Sequence, residues 1–270
     1  MARVCVITDG VSGIGLAAAK YIPREKIVVL ASAAADALQK GVAELQALGY
    51  TAYAQVCNTS DRNSVKALVA FACSLGEVRN VIHAADAASG IEGSPEDILR
   101  NIIYSTVYVN EEFSKVMQSG VILDVSSNVA YAVPALLLPK KAYPLVETDQ
   151  PLFMEKLFKR VSLWKDEEKQ KRFARALAKH FVVWYAQKCA FDYAKKEIRV
   201  LSLSHGGIDA EKVENGDTIA FSVEGRSAKP QELGYALATL ADERNGYLAG
   251  VDVLCDGGST NGKKEFKKKK

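Results

Sequence analysis

The sequence has no C-x-x-C pair, no apolar run that could span a bilayer, and no large surplus of either charge. Each absence removes a class of protein. Its five cysteines, Cys5, Cys57, Cys73, Cys189 and Cys255, are odd in number and widely spaced. That pattern predicts reduced thiols in a cytoplasmic protein, not a disulfide framework. The longest apolar run, residues 130–138, contains Pro134 and falls far short of the roughly 20 residues a spanning helix needs. Asp9 interrupts the apolar start of the chain, so no secretory leader is expected. The three histidines, His83, His180 and His205, have no ligand-like partners at metal spacing, and no metal is expected.

The formal charge of +3 is a property of the chain end. Residues 263–270 hold six lysines and one glutamate, which leaves 29 basic and 31 acidic side chains over the preceding 262 residues. A body so close to neutral gives no case for nucleic acid or a membrane surface. The lysine-rich tail reads as a solvated end, with a weak contact to an acidic surface as the alternative.

What is present is enough apolar material, 49% of 270 residues, to bury one large core. Short apolar runs alternate with helical patterns. Strands are predicted over 3–8, 26–31, 51–56, 80–84, 120–126, 198–204 and 251–255, and helices over 16–21, 36–48, 64–75, 95–117, 172–196 and 230–241. In 36–48, for example, Leu38, Val42, Leu45 and Leu48 recur at helical spacing. The strands are continuously apolar rather than alternating, which predicts burial on both faces. The fold class is therefore α/β, a doubly wound parallel sheet with helices on either side, in one domain over 1–262. Ligands of such sheets lie at the carboxyl ends of the strands. The stretch 130–170 stands apart: it holds Pro134, Pro139, Pro144 and Pro151, then a charged helical segment.

Thr8-Asp9-Gly10-Val11-Ser12-Gly13-Ile14-Gly15 joins the first strand to the first helix. Glycines at such a turn let the backbone approach a pyrophosphate at the positive end of the helix. Alone, the turn could equally be a tight strand-to-helix connection. It is followed, in order, by Ile82-His83-Ala84-Ala85-Asp86, a helical Asn101, Val125-Ser126-Ser127, Ile198-Arg199-Val200 with Ser204-His205-Gly206, Lys229-Pro230-Gln231-Glu232, and Tyr247-Leu248-Ala249-Gly250 with Asp256-Gly257-Gly258. This series resembles the short-chain dehydrogenase/reductase family over residues 3–258.

The resemblance implies a Rossmann-like sheet of about seven strands, NAD(H) or NADP(H) as cofactor, and hydride exchange between a nicotinamide and a small-molecule carbonyl or secondary alcohol. It places Thr8, Asp9, Gly10, Ser12, Gly13, Ile14, Gly15, Asn58, Ala84, Ala85, Lys179, Gly206 and Ile208 beside the cofactor. It makes Ser127 the residue that polarises the carbonyl, Asn101 the holder of a relay water, and Lys179 the residue that binds the ribose and lowers the pKa of a catalytic tyrosine. Read without the family, Ser127 could cap a turn, Lys179 could be a surface lysine and Asn101 a plain helical polar residue. The helices over 95–117 and 172–196 resemble the family's oligomerisation pair, which implies a homodimer or homotetramer.

None of the 11 tyrosines is followed four residues later by lysine. The matching segment reads Arg175-Ala176-Leu177-Ala178-Lys179, and Lys179 lies 20 residues before Arg199, the interval the family usually shows. Ser127 and Lys179 are 52 residues apart, which implies an insertion of about 35 residues, too long for an idle loop. An insertion there resembles the bacterial hydroxysteroid dehydrogenase/carbonyl reductase subgroup. It could cover the substrate cleft, form a subunit interface, or pack on its own protein.

The departures from the family pattern fall on chemistry. Asp9 and Asp86 replace glycines near the cofactor. Ala33 stands where an NADP-preferring relative often has arginine, and no acidic residue ends the second strand. Asn58 replaces an aspartate, His205 a proline, Ala210 a threonine and Ala178 a serine. A carboxylate about 4 Å from a phosphate costs about 4 kcal/mol at an effective dielectric of 20, nearly three decades of affinity. A guanidinium stays protonated and cannot serve as a base. The expectation is an oxidoreductase scaffold impaired in catalysis and in cofactor binding. The alternatives are an active carbonyl reductase or hydroxysteroid-type dehydrogenase with another proton donor, such as Tyr131 or Tyr143, or a non-catalytic binding module.

Overall fold

A computed structural model describes residues 1–11, 13–84, 93–208, 222 and 226–266. Strand and helix alternate as β1 (Arg3–Thr8), α1 (Gly13–Ala19), β2 (Ile27–Ser32), α2 (Ala35–Ala47), β3 (Ala52–Val56), α3 (Arg62–Leu75), β4 (Glu77–His83), α4 (Pro95–Val116) and β5 (Gly120–Ser127). After short 3-10 turns come α5 (Leu145–Thr148), α6 (Gln150–Val161), α7 (Glu167–Tyr193), β6 (Ile198–His205), α8 (Pro230–Leu240), β7 (Asp252–Cys255) and α9 (Ser259–Phe266). The seven strands form one parallel sheet in the order β3-β2-β1-β4-β5-β6-β7. The expected doubly wound sheet is therefore present, and its order reverses between β1 and β4, where such sheets open a crevice.

Two apolar layers cover the sheet. On one face α3, α4 and α7 bury Leu68, Phe113, Phe181 and Tyr185, and the inserted segment adds Tyr143, Phe153 and Leu157 to the same cluster. On the other face α1, α2 and α8 bury Ile14, Leu38 and Leu237. Gly234 permits this second layer, since a Cβ there would lie 2.7 Å from the Cβ of Ala17. A fully buried Phe or Leu side chain of this kind contributes about 1.5–3 kcal/mol.

Helix starts follow capping chemistry. Ser94 and Asp97 form a reciprocal capping box at α4, with Pro95 in the first turn. The α7 helix begins five residues before the expected 172, because the Asp166 carboxylate accepts the Lys169 N–H and Glu167 and Glu168 occupy the first turn. The end of the predicted irregular stretch thus belongs to a helix that carries the candidate site. Lys-rich residues 263–266 continue α9, and residues 267–270 lie outside the described ones. Among the described residues no helix is long and apolar enough to cross a membrane.

The strands are not uniformly apolar. Thr8, His83, Asp124, Ser202 and Asp252 stand in register across β1, β4, β5, β6 and β7. The first four are fully or almost fully buried. A polar row crosses the sheet just below its carboxyl edge.

Candidate active site

The glycine turn is built for close approach. Gly10 has no room for a Cβ, which would lie 2.9 Å from Leu30 Cδ2, and a Cβ on Gly15 would lie 3.0 Å from the Asp9 carbonyl. Gly13 has φ +54°. Asp9 has φ +50°, a left-handed conformation that favours glycine and that aspartate tolerates better than most residues. The backbone therefore keeps the shape of a glycine turn at a position that carries a carboxylate. Its charge reaches Cys57 at the end of β3, where, after burial, it helps raise the thiol pKa. Thr8 and Ile14 are buried, and Ser12 lies outside the described residues.

Asn58, after β3, is exposed and turned on itself. Its Oδ1 accepts from Ser60 N at 3.1 Å and Ser60 Oγ at 2.7 Å, a local turn that uses the amide's acceptor and leaves its donor side outward. Ala84 follows β4 directly and is fully buried, while Ala85 and Asp86 lie outside the described residues. Asn101 lies on α4 and is exposed.

Ser127 ends β5 and stands in register with His205 at the end of β6. Its hydroxyl donates to the His205 carbonyl at 3.4 Å and accepts the Val129 N–H at 3.5 Å. Both contacts are long, so the hydroxyl is held only loosely. Lys179, from the middle of α7, is fully buried. Its ammonium donates to the Val125 carbonyl at 3.2 Å, and its own carbonyl accepts from Ser126 Oγ at 2.8 Å. Arg175, one turn earlier on the same helix, is half-buried. Ser127, Lys179 and Arg175 are thus gathered around the ends of β5 and β6.

Sequence reading named His83 and His205 only as motif positions and did not single out Asp124; all three are titratable groups buried beneath them. His83 Nδ1 meets Thr8 Oγ1 at 2.8 Å. Burial, helped by the Lys179 charge, holds its pKa down to about 3. Asp124 accepts the Asn110 amide at 2.9 Å and 3.0 Å. Burial raises its pKa to about 7 against the opposing pull of Asn110 and Lys179. His205 is held neutral, at about 4, by burial and by the nearby Lys179 and Arg175 charges, while its bond to Gly206 O works the other way. That bond, His205 Nδ1 to Gly206 O at 2.7 Å, requires the proton on Nδ1 and leaves a lone pair on Nε2. Among the described residues neither His83 Nε2 nor His205 Nε2 has a hydrogen-bond partner. The only sequence signal was an aspartate and two histidines inside apolar strand runs.

The two tyrosines considered as replacement proton donors are engaged elsewhere. Tyr131 donates to Asp252 Oδ2 at 2.5 Å, and burial with this carboxylate pushes its phenol pKa up. Tyr143 is fully buried, with its hydroxyl 3.0 Å from His180 Nδ1. Gly206 lies so close to Asp256 that a Cβ would come within 2.9 Å of the Asp256 Cα. Ile208 bridges Ala228, and Ala210 lies outside the described residues.

Comparisons with known proteins agree with this frame. Residues 3–137 match the family described as short chain dehydrogenase, and residues 166–260 match the one described as enoyl-(acyl carrier protein) reductase. The unmatched interval falls in the inserted segment. Cyclohexanol dehydrogenase from an Acinetobacter strain is 27% identical over 268 residues, covering 96% of this chain and 95% of that protein. Among solved structures, hydroxysteroid dehydrogenase from Escherichia coli superposes with a TM-score of 0.69 at 22% identity, covering 95% of this chain and 96% of that one. Actinorhodin polyketide ketoreductase, crystallised with NADPH, gives 0.70 at 17% identity, covering 96% and 98%. With both halves of the chain matched and the seven-stranded order in place, the protein belongs to the short-chain dehydrogenase/reductase family.

Proposed function

We propose that this chain is an oxidoreductase scaffold of its family whose proton-transfer chemistry is impaired and whose hold on NAD(P)(H) is weakened. The observation that carries the reading is the pairing of Arg175 with a fully buried Lys179 one turn later on α7. At the place where the family has a phenol stands a cation that cannot give up its proton at working pH. The ammonium of the lysine that should tune that phenol donates to the Val125 carbonyl.

The residues present fit a dinucleotide in shape more than in charge. Gly10, Gly13 and Gly15 keep the turn low enough for a pyrophosphate, but Asp9 adds a negative charge there. Neither Ser32 nor Ala33 at the end of β2 offers a positive charge to a ribose 2′-phosphate or a carboxylate to ribose hydroxyls. NAD(P)(H), when bound, would supply the hydride. The chain's own residues offer Ser127 as a donor to a carbonyl oxygen and Arg175 as a fixed positive charge. The substrate class is a small-molecule ketone or alcohol, and the assembly a homodimer or homotetramer through α4 and α7.

Fluorescence titration with NADH and NADPH tests the cofactor half, with dissociation constants well above micromolar expected. A ketone panel tests the catalytic half, with no turnover expected. Micromolar binding together with turnover would overturn the reading.

A second reading, an active reductase with another proton donor, is favoured by one observation. His205 Nε2 is a buried lone pair on the residue in register with Ser127. If turnover is found, His205→Gln should remove it and the bell-shaped pH profile with it.

A further inference from the structure

The inserted segment folds around a surface cavity of about 490 Å³, away from the glycine turn and from Ser127. Its floor is apolar: Pro139 and Ala142 are buried, and Leu145 of α5 is half-buried. Its rim is cationic: Lys141 on one side, and Lys156, Lys159 and Arg160 of α6 on the other. Among the described residues none of these four side chains makes a hydrogen bond or ion pair, unlike those of Lys171 or Lys188 on α7. The carboxylates of the same segment do not pair with these cations. Glu147 takes Lys188 at 2.5 Å, Asp149 caps α6 through the Leu152 N–H, and Glu155 forms no ion pair although Lys159 lies one turn on.

Ordinary surface chemistry accounts for part of this. Lys159 and Arg160 sit in the last turn of α6, where cations suit the helix dipole. It does not account for Lys156, earlier on the helix, or for Lys141, outside it. Lys156, Lys159 and Arg160 follow an i, i+3, i+4 pattern that places like charges on one face, an arrangement that destabilises a helix. An apolar floor under a ring of uncompensated cations is the complement of an amphiphile with a negative head. The volume lies within the range of small-molecule sites.

We propose that this cavity binds a single-chain anionic amphiphile, of the fatty carboxylate class, with the carboxylate on the α6 cations and the chain over Pro139, Ala142 and Leu145. The site is separate from the cofactor turn and does not depend on whether the chain turns over a ketone.

The test is isothermal titration of the intact protein with dodecanoate, dodecanol and inorganic phosphate, each below its aggregation concentration. Dodecanoate should bind at least 10-fold more tightly than dodecanol and weaken as salt rises, since exposed charges are screened over about 8–10 Å at moderate ionic strength. Phosphate should not bind measurably. Lys156→Gln with Arg160→Gln should lower dodecanoate affinity at least 10-fold with the circular dichroism unchanged, and Lys141→Gln, on a different segment, should lower it independently. Equal binding of dodecanol removes the role of the cations. Equal binding of phosphate removes the role of the floor. Retention of binding in both variants, with its loss in Ser127→Ala, places the ligand in the other cleft. Binding only to vesicles of anionic lipid, with none to free dodecanoate, makes the patch a membrane contact. Each of these results overturns the proposal.

Discussion

Ser127 and His205 face each other across the β5–β6 ladder, and the serine hydroxyl reaches the histidine carbonyl at 3.4 Å. A hydroxyl that spans a 3.4 Å donation and a 3.5 Å acceptance contributes little to folding, well under the ~1 kcal/mol of an ordinary hydrogen bond. Ser127→Ala should therefore shift the urea midpoint by less than the equivalent of about 1 kcal/mol. A loss above about 2 kcal/mol would identify Ser127 as a true cap of the following turn.

Arg175→Tyr replaces the fixed charge with a titratable phenol but leaves Asp9 beside the glycine turn. Turnover with NADPH and a ketone should stay far below that of the combined Arg175→Tyr, Asp9→Gly, Asp86→Gly protein. Asp9→Gly alone should tighten nucleotide binding by up to about three decades, the equivalent of about 4 kcal/mol. Because Asp9 already holds φ +50°, glycine there should leave stability within about 1 kcal/mol, whereas Asp9→Val should cost more than that. Near-normal turnover from Arg175→Tyr alone would show the electrostatic argument to be wrong.

The legible part of the site was the part written as local pattern. Strand runs such as Ile198-Arg199-Val200 and the glycine turn identify the sheet because burial and backbone freedom act on neighbouring residues. The assignment of Arg175 rested instead on the family resemblance, through the interval from Lys179 to Arg199. What could not be read is lateral. Thr8, His83, Asp124 and Ser202 come into one row only through strand register, and no one-dimensional pattern encodes a parallel pairing. The inward turn of Lys179 onto Val125, and the capture of Tyr131 by Asp252, are likewise tertiary choices. The early start of α7 was legible in principle: Asp166 followed by Glu167 and Glu168 is a capping signature, hidden by the charge of the segment.

The buried titratable groups give stability a pH dependence of two signs. Asp124 has a folded pKa of about 7 against an ordinary 3.8, so the native state holds its proton more firmly. Its contribution is fully present below the ordinary value and is lost as pH rises through 7. The depressed imidazoles, His83 at about 3 and His180 and His205 at about 4 against 6.5, act oppositely. Their contribution is present above 6.5 and is lost as pH falls towards 4. Thermal scans should find maximal stability near neutral pH, with the acid loss the steeper. Asp124→Asn should gain on the parent as pH rises from about 4 to 7, hold that gain above 7 and lose it below about 4, since one pKa unit corresponds to about 1.4 kcal/mol. A difference that does not change with pH would mean that the carboxyl does not titrate in this range.

At the opposite end of the sheet, Glu243 gathers three cations. It accepts Lys26 at 2.6 Å and Arg79 at 3.1 Å, with Arg3 at 3.7 Å. Lys26 also donates to Asn80 Oδ1 at 2.6 Å, and Asn80 donates to the Ala241 carbonyl at 2.6 Å. The cluster ties β2 and β4 to the chain just after α8. Only 8% of the Lys26 side chain is exposed, so loss of Glu243 leaves a nearly buried ammonium with one amide partner. A fully buried pair broken on one side costs about 3–5 kcal/mol. Because Glu243 is 20% exposed and water can reach it, Glu243→Ala should cost nearer to about 2 kcal/mol. Glu243→Gln, which keeps an acceptor for Lys26, should cost less. Lys26→Met removes the stranded charge, so the double variant Lys26→Met, Glu243→Ala should regain part of the loss. Denaturant unfolding of the four proteins forms a cycle that isolates the coupling. A coupling indistinguishable from zero would show that the cluster is held by backbone packing and not by charge.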